Sequence, residues 1–141
     1  MTVTIARISE SALDLDAHLL AVEEPWVGAV TSFAGRVRVE DPDAQTPVVA
    51  LEYSAHPDAE AALRRIAADA IGDRRALVAV SHRVGRLVVG DLAVVIAVAS
   101  AHRDDAFVVC RTVIEQIKRE LPVWKKQWTA DGESLWKGIG G

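Results

Sequence analysis

Three groups of cations stand where this chain can hold an anion. Ser100-Ala101-His102-Arg103 lies where an apolar run ends and a helical pattern begins. A helix N-terminus offers unpaired N–H groups and partial positive charge, and strand ends are common ligand positions in α/β sheets. His102 and Arg103 complete an anion site there, unless Arg103 pairs with Asp104 or another acid and His102 packs at the sheet edge. Gly35-Arg36-Val37-Arg38 closes a second apolar run. In extended chain Arg36 and Arg38 face one side. There they either grip a phosphate or balance Glu40 and Asp41 on an edge strand. Lys118 and Lys125 flank Leu121-Pro122. A turn at Pro122 brings both amines into one pocket. Neighbouring cations then lower a lysine pKa, leaving a neutral amine to attack a carbonyl or to move protons. The alternative is a solvated helix end, with Glu115 as the i,i+3 partner of Lys118.

Other chemistry is poorly represented. His18, His56, His82 and His102 have no metal-ligand spacing, so no metal site is expected, and no cofactor is expected. No phosphate-loop or nucleophile-elbow motif is present. Cys110 falls on the apolar stripe of a helix and reads as an inert core thiol. Trp124, Trp128 and Trp136 can stack a flat heterocycle, fill a core or anchor a subunit interface; the interface is the favoured reading.

These residues need elements to position them. The pattern predicts a strand over 3–8, a helix over 11–22 and a strand over 26–39. Gly28 and Gly35 in that last strand mark bulges or close backbone approach. Residues 40–47 (EDPDAQTP) read as an exposed, mobile loop. A strand over 48–54 precedes a helix that starts at Pro57 and is capped by Gly72. Strands over 76–84 and 87–101 follow, with turn or bulge chemistry at Gly85-Arg86 and Gly90-Asp91. Ala106, Val109, Cys110, Val113, Ile117 and Leu121 make one stripe of a helix over 103–121. Acids lie in its first turn and bases in its last, as the helix dipole favours. The tail mixes Trp, Lys and Gly and adds short strands. The order β-α-β-β-α-β-β-α-β implies an α+β or mixed α/β sandwich.

Composition sets the frame. The chain has 141 residues, half of them apolar, enough for a core without staples. One cysteine excludes an internal disulfide framework. The formal charge is −4, which argues against bulk attraction to nucleic acid or anionic membrane. No apolar stretch is long enough to span a bilayer, and no signal peptide is seen, so a cytoplasmic protein is expected. The charge is uneven. Residues 40–60 hold six acids and no Lys or Arg, while residues 116–128 hold four bases and one acid. A single-stranded nucleic-acid binder built on Lys118 to Lys126 with Trp124 and Trp128 is therefore a weak rival.

Taken together, several stretches carry a family pattern. They are residues 28–38 (GAVTSFAGRVR), Leu51-Glu52-Tyr53, residues 82–91 (HRVGRLVVGD), residues 100–103 (SAHR), Ala106-Phe107 and residues 118–126 (KRELPVWKK). In their order along nearly the whole chain, the sequence resembles the large, catalytic subunits of molybdopterin synthase, the MoaE family. The resemblance implies an α/β hammerhead fold with an additional antiparallel β subdomain, here as one domain over 1–141 with flexible segments near 40–47 and 138–141. It implies a sulfurtransferase that converts cyclic pyranopterin monophosphate into molybdopterin. The sulfur would arrive as the C-terminal Gly-Gly thiocarboxylate of a small ubiquitin-like subunit. Two large subunits would form a homodimer within a heterotetramer. Lys118 would be the main catalytic lysine and Lys125 a second. Arg36, Val37, Arg38, His102, Arg103, Lys126 and Gln127 would join them in binding substrate. Without the resemblance, the alternative is a non-catalytic module that binds a phosphorylated metabolite. The Gly140-Gly141 end of this chain is not expected to carry sulfur itself.

Overall fold

The protein is described by a computed structural model that covers residues 2–41, 44 and 46–140. Two strands form its centre: β4 (Ala76–Arg83) and β6 (Leu92–Ser100). Both are almost wholly buried because the sheet is covered on both faces. They pair antiparallel, with β1 (Thr2–Ser9) parallel to β4 on one edge and β2 (Ala29–Arg36) antiparallel to β6 on the other. Successive side chains point to opposite faces. Val78, Val80, Ile96 and Val98 therefore share a core with helices α2 (Ala59–Ile71) and α3 (Arg103–Glu120). Leu77, Ala79, Ala97 and Ala99 face the other way, where Val22 and the residues around α1 (Leu15–Leu20) cover them. On α3, Val109, Val113 and Ile117 are fully buried. Each such side chain stabilises the packing by about 1.5–3 kcal/mol.

A second sheet holds β5 (Gly85–Val88), β3 (Val48–Ala55), β7 (Val123–Thr129) and β8 (Ser134–Gly138), in that order and antiparallel throughout. Its Leu51, Tyr53, Leu87 and Val123 belong to the same core cluster as Val78 and Ile117. The α+β class expected from the sequence is present.

The boundaries differ in instructive ways. The expected strand over 87–101 is two strands in two different sheets. The chain leaves the first sheet at Gly85 and returns through a turn at Gly90, both with φ near +95° (93° and 96°), where a side chain is strained. The first helix shrinks to six residues, N-capped by Asp14. The strand over 26–39 shortens to β2. Its glycines do what their positions suggested. A Cβ on Gly28 would sit 2.5 Å from Ala101 O, and one on Gly35 2.7 Å from a Val94 methyl. The register with β6 shifts between Gly35 and Arg36.

In the two segments expected to be flexible, the described residues make specific contacts. Asp41 is held by an ion pair to Lys137; of the same loop, Pro42, Asp43 and Gln45 lie outside the described residues. At the C-terminus Ile139 is 3% exposed, and Gly140 packs so closely that a Cβ would meet Lys118 O at 2.7 Å. Gly141 lies outside the described residues.

Candidate active site

A cleft of about 320 Å³ opens where the two sheets meet the last turn of α3. The end of β2 and the segment after it supply Arg36, Val37, Arg38, Glu40 and Asp41; β4 supplies His82; α3 supplies Lys118. The second sheet supplies Tyr53 from β3, Lys125 and Gln127 from β7, and Lys137 from β8. Five cations and two carboxylates line this space, in a chain whose formal charge is −4. A concave cationic site on an acidic protein focuses small anions.

Local structure explains each placement. The β2–β6 ladder ends at Arg36, one residue past the register shift, and the next residues are clamped to the turn before β6. Val37 N–H donates to Asp91 O at 2.9 Å, and Gly90 N–H donates to Val37 O at 2.8 Å. Arg36 Nε donates to Gly90 O at 3.1 Å. Arg36 and Arg38 thus both reach the cleft, as extended spacing suggested. Neither forms an ion pair with Glu40 among the described residues. On α3 the buried Ile117 fixes the rotation of the helix, which aims Lys118 at the cleft. Leu121-Pro122 then turns the chain into β7, where alternation sends Lys125 and Gln127 inward.

The electrostatics follow from this crowding. Lys118 is exposed at the cleft mouth, but the surrounding cleft walls partly desolvate its amine. That burial and the Arg38 guanidinium lower the Lys118 pKa. Lys125 is lowered too, by burial first and then by Lys118 and Lys137, with Asp41 opposing. Lowered ammonium pKa values leave more neutral amine near neutral pH. His82 is 2% exposed. Its Nδ1–H donates to Arg83 O at 2.8 Å, and its ring meets Tyr53 edge-on at 5.1 Å. Burial pushes the imidazole down to about 4, so it is neutral. Burial also pushes the Tyr53 phenol up to about 12.

Not every expected residue is here. Lys126 points to the opposite face of β7, because a strand alternates. Its Nζ lies 4.6 Å from the centre of the Trp128 ring and 5.5 Å from that of Trp136. His102 and Arg103 sit at the far end of α3. Fifteen residues separate Arg103 from Lys118, about 22 Å at 1.5 Å per residue. Within one chain they cannot line this cleft. His102 makes no capping bond, and Arg103 forms no ion pair among the described residues. Nor does Glu115 pair with Lys118 among those residues. Conversely, Tyr53, His82 and Lys137 have no role in the sequence reading, and Asp41 enters there only as a charge that Arg36 and Arg38 could balance. His82 and Tyr53 do fall within the stretches that carry the family pattern. Lys137 had no local signal, since only its pairing opposite Lys125 brings it in. No cluster of potential metal ligands occurs among the described residues, and none of their helices is long and apolar enough to cross a membrane.

The family model described as MoaE protein matches residues 8–120. The chain belongs to the MoaE family. Its MoaE relatives include the molybdopterin synthase catalytic subunit of Nostoc sp., 41% identical over 89% of this chain and 76% of the relative. That of Halalkalibacterium halodurans is 39% identical over 98% and 88%. Among solved structures, molybdopterin synthase from Staphylococcus aureus matches with a TM-score of 0.85 and 34% identity, covering 93% of this chain and 95% of that one. The MoaE protein of Burkholderia ambifaria matches with a TM-score of 0.81 and 38% identity, covering 99% and 91%.

Proposed function

We infer that this chain is the catalytic subunit of a molybdopterin synthase, a sulfurtransferase of molybdenum cofactor biosynthesis. The observation that carries the site assignment is the pair Lys118 and Lys125, two amines with lowered pKa in one cationic cleft. The substrate is cyclic pyranopterin monophosphate. The sulfur comes from the C-terminal thiocarboxylate of a small ubiquitin-like subunit. Both reactants are anions, which suits a cleft with five cations. Arg38 holds the phosphate and stabilises negative charge that develops during transfer. Lys118, its pKa lowered by burial and by Arg38, takes a proton from the reacting centre and returns it. Lys125 faces the thiocarboxylate, and the neighbouring Lys118 charge helps to lower its own pKa. Arg36, Val37 and Gln127 shape the wall. A module that only binds a phosphorylated metabolite has no support from relatives named as catalytic subunits.

His102 and Arg103 enter this reading through a second copy of the chain. They lie about 22 Å along α3 from Lys118, beside Phe107, which is 60% exposed. In a homodimer the α3 N-terminus of one copy reaches the cleft of the other, so each site takes its lysines from one copy and His102-Arg103 from the second. The whole chain works as one unit, in the cytoplasm, within a heterotetramer carrying two small subunits. The test is reconstituted sulfur transfer from a thiocarboxylated small subunit to cyclic pyranopterin monophosphate. Wild-type protein must form the dithiolene product, and Lys118→Ala must lose nearly all of it. Product formation by the variant at a near-normal rate overturns the assignment.

A further inference from the structure

Asp41 and Lys137 are 96 positions apart and meet inside the cleft, where Lys137 Nζ donates to Asp41 Oδ2 at 3.1 Å. Their side chains are 18% and 9% exposed. The pairs His56–Asp58, Arg65–Asp69, Arg65–Glu120 and Arg74–Asp105 all have both side chains at least 38% exposed. Asp41 and Lys137 are thus an inner ion pair on a protein whose other named pairs lie at the surface. Desolvating two charges is costly, and their attraction does not always repay it. A stability role alone is a weak reason for this pair. Its surroundings offer a better one. Lys137 stands directly across the β7–β8 ladder from Lys125, and Arg38 and Lys118 line the same cleft. Asp41 opposes the mutual repulsion of these cations. An anion that enters the cleft does the same and competes with Asp41 for them.

We propose that Lys137 is a further anion-binding residue of this cleft and that Asp41 is its resident counter-ion, displaced from Lys137 when a ligand phosphate or carboxylate arrives. The swap replaces one N–H···O⁻ contact on Lys137 with another, and the released Asp41 carboxylate stays among the cleft's other cations, Lys125 and Arg38. It also makes affinity depend on ligand charge. A group that carries less negative charge than Asp41 gains little by displacing it. This rests on the reading of the cleft as the place where the anionic reactants bind. Those reactants supply two sources of the same chemistry, the phosphate of one and the terminal carboxylate-like group of the other.

The test uses calorimetric titration of the full chain at fixed ionic strength. The two probes are inorganic phosphate and a short peptide ending in a Gly-Gly carboxylate. The variants are Lys137→Gln, Asp41→Asn and the double variant, with Lys137→Arg as the charge-keeping control. With at least one probe, Lys137→Gln should weaken binding about tenfold, the size of one charge-assisted hydrogen bond. Asp41→Asn should tighten it, Lys137→Arg should keep it, and the gain from Asp41→Asn should vanish in the double variant. The probe that shows this cycle identifies the source. The proposal is overturned if Lys137→Gln changes neither affinity by more than about twofold. It is also overturned if Asp41→Asn weakens both, if its gain survives in the double variant, or if wild-type protein binds neither probe. Sulfur transfer by wild-type protein separates the two readings. Product with a flat cycle removes only this proposal, whereas the full cycle without product removes only the enzymatic one.

Discussion

Replacing Lys118 tests whether the cleft moves protons or merely holds charge. Lys118→Ala removes the amine, and loss of a positioned acid–base group slows a reaction by about 10²- to 10⁴-fold. The fold should hardly notice. Lys118 lies in the last turn of α3, where a cation gains about 0.3–1 kcal/mol from the helix dipole. Removing it also relieves repulsion from Arg38 and Lys125. These effects oppose each other, so the midpoint of thermal unfolding should shift by no more than about 3 °C. The decisive variant is Lys118→Arg. Arginine keeps the positive charge but does not release its proton in proteins. Under the proton-transfer reading it should be nearly as slow as Lys118→Ala while binding anions normally. The assay is single-turnover sulfur transfer with pre-formed thiocarboxylated small subunit, followed across pH. The wild-type rate should rise as pH climbs through the lowered Lys118 pKa and then level off, because the neutral amine is the working form. A Lys118→Arg protein within about tenfold of wild type would refute the reasoning, since a fixed charge would then suffice.

Mixing variants checks the shared site. Dimers formed at random from Lys118→Ala and Arg103→Ala chains should recover about one quarter of wild-type activity, because half the dimers are mixed and each holds one intact site. Activity no higher than that of either parent would place Arg103 outside the site. His82 should stay neutral, with its proton on Nδ1, from pH 5.5 to 8 as read by ¹⁵N NMR; a protonated ring at pH 6 contradicts its burial. Its folded pKa near 4 lies below the ordinary 6.5. Between those values the unfolded chain binds the extra proton, so stability falls as pH drops from 6.5 to 4, by on the order of 3 kcal/mol. Chemical denaturation at pH 7 and pH 4.5, with His82→Phe for comparison, measures that contribution. Cys110 is 7% exposed, and burial pushes its thiol up to about 11. It should resist alkylation at pH 8 until the protein unfolds, and rapid labelling of the folded protein would contradict its place in the core.

Much of the scaffold was legible along the chain. The stripe on α3 located that helix to within a residue or two, and the unbroken apolar runs of β4 and β6 marked the central strands. The end of β2, with two arginines on one side past a glycine, was also readable. The span 87–101 misled because Leu87 and Val88 look like the start of the β6 run. Whether such residues pair with β3 or continue into β6 depends on the backbone at Gly90, and side-chain pattern does not encode it. Lys126 misled in the opposite direction. It adjoins Lys125 in sequence, but a period of two turns it outward onto Trp128 and Trp136.

The sequence by itself determined which elements form and which charges the chain carries. Helix and strand periodicity, caps and turn residues act over a few positions, and the family pattern is made of such local stretches. Only the tertiary structure decided the membership of the cleft. Pairing β8 against β7 set Lys137 beside Lys125, and packing of the two sheets brought His82 and Tyr53 into the same cleft as Lys118. The Asp41–Lys137 contact in the same cleft joins residues 96 positions apart. Such contacts depend on how buried faces fit together, and the lowered pKa values of Lys118 and Lys125 come from that same crowding.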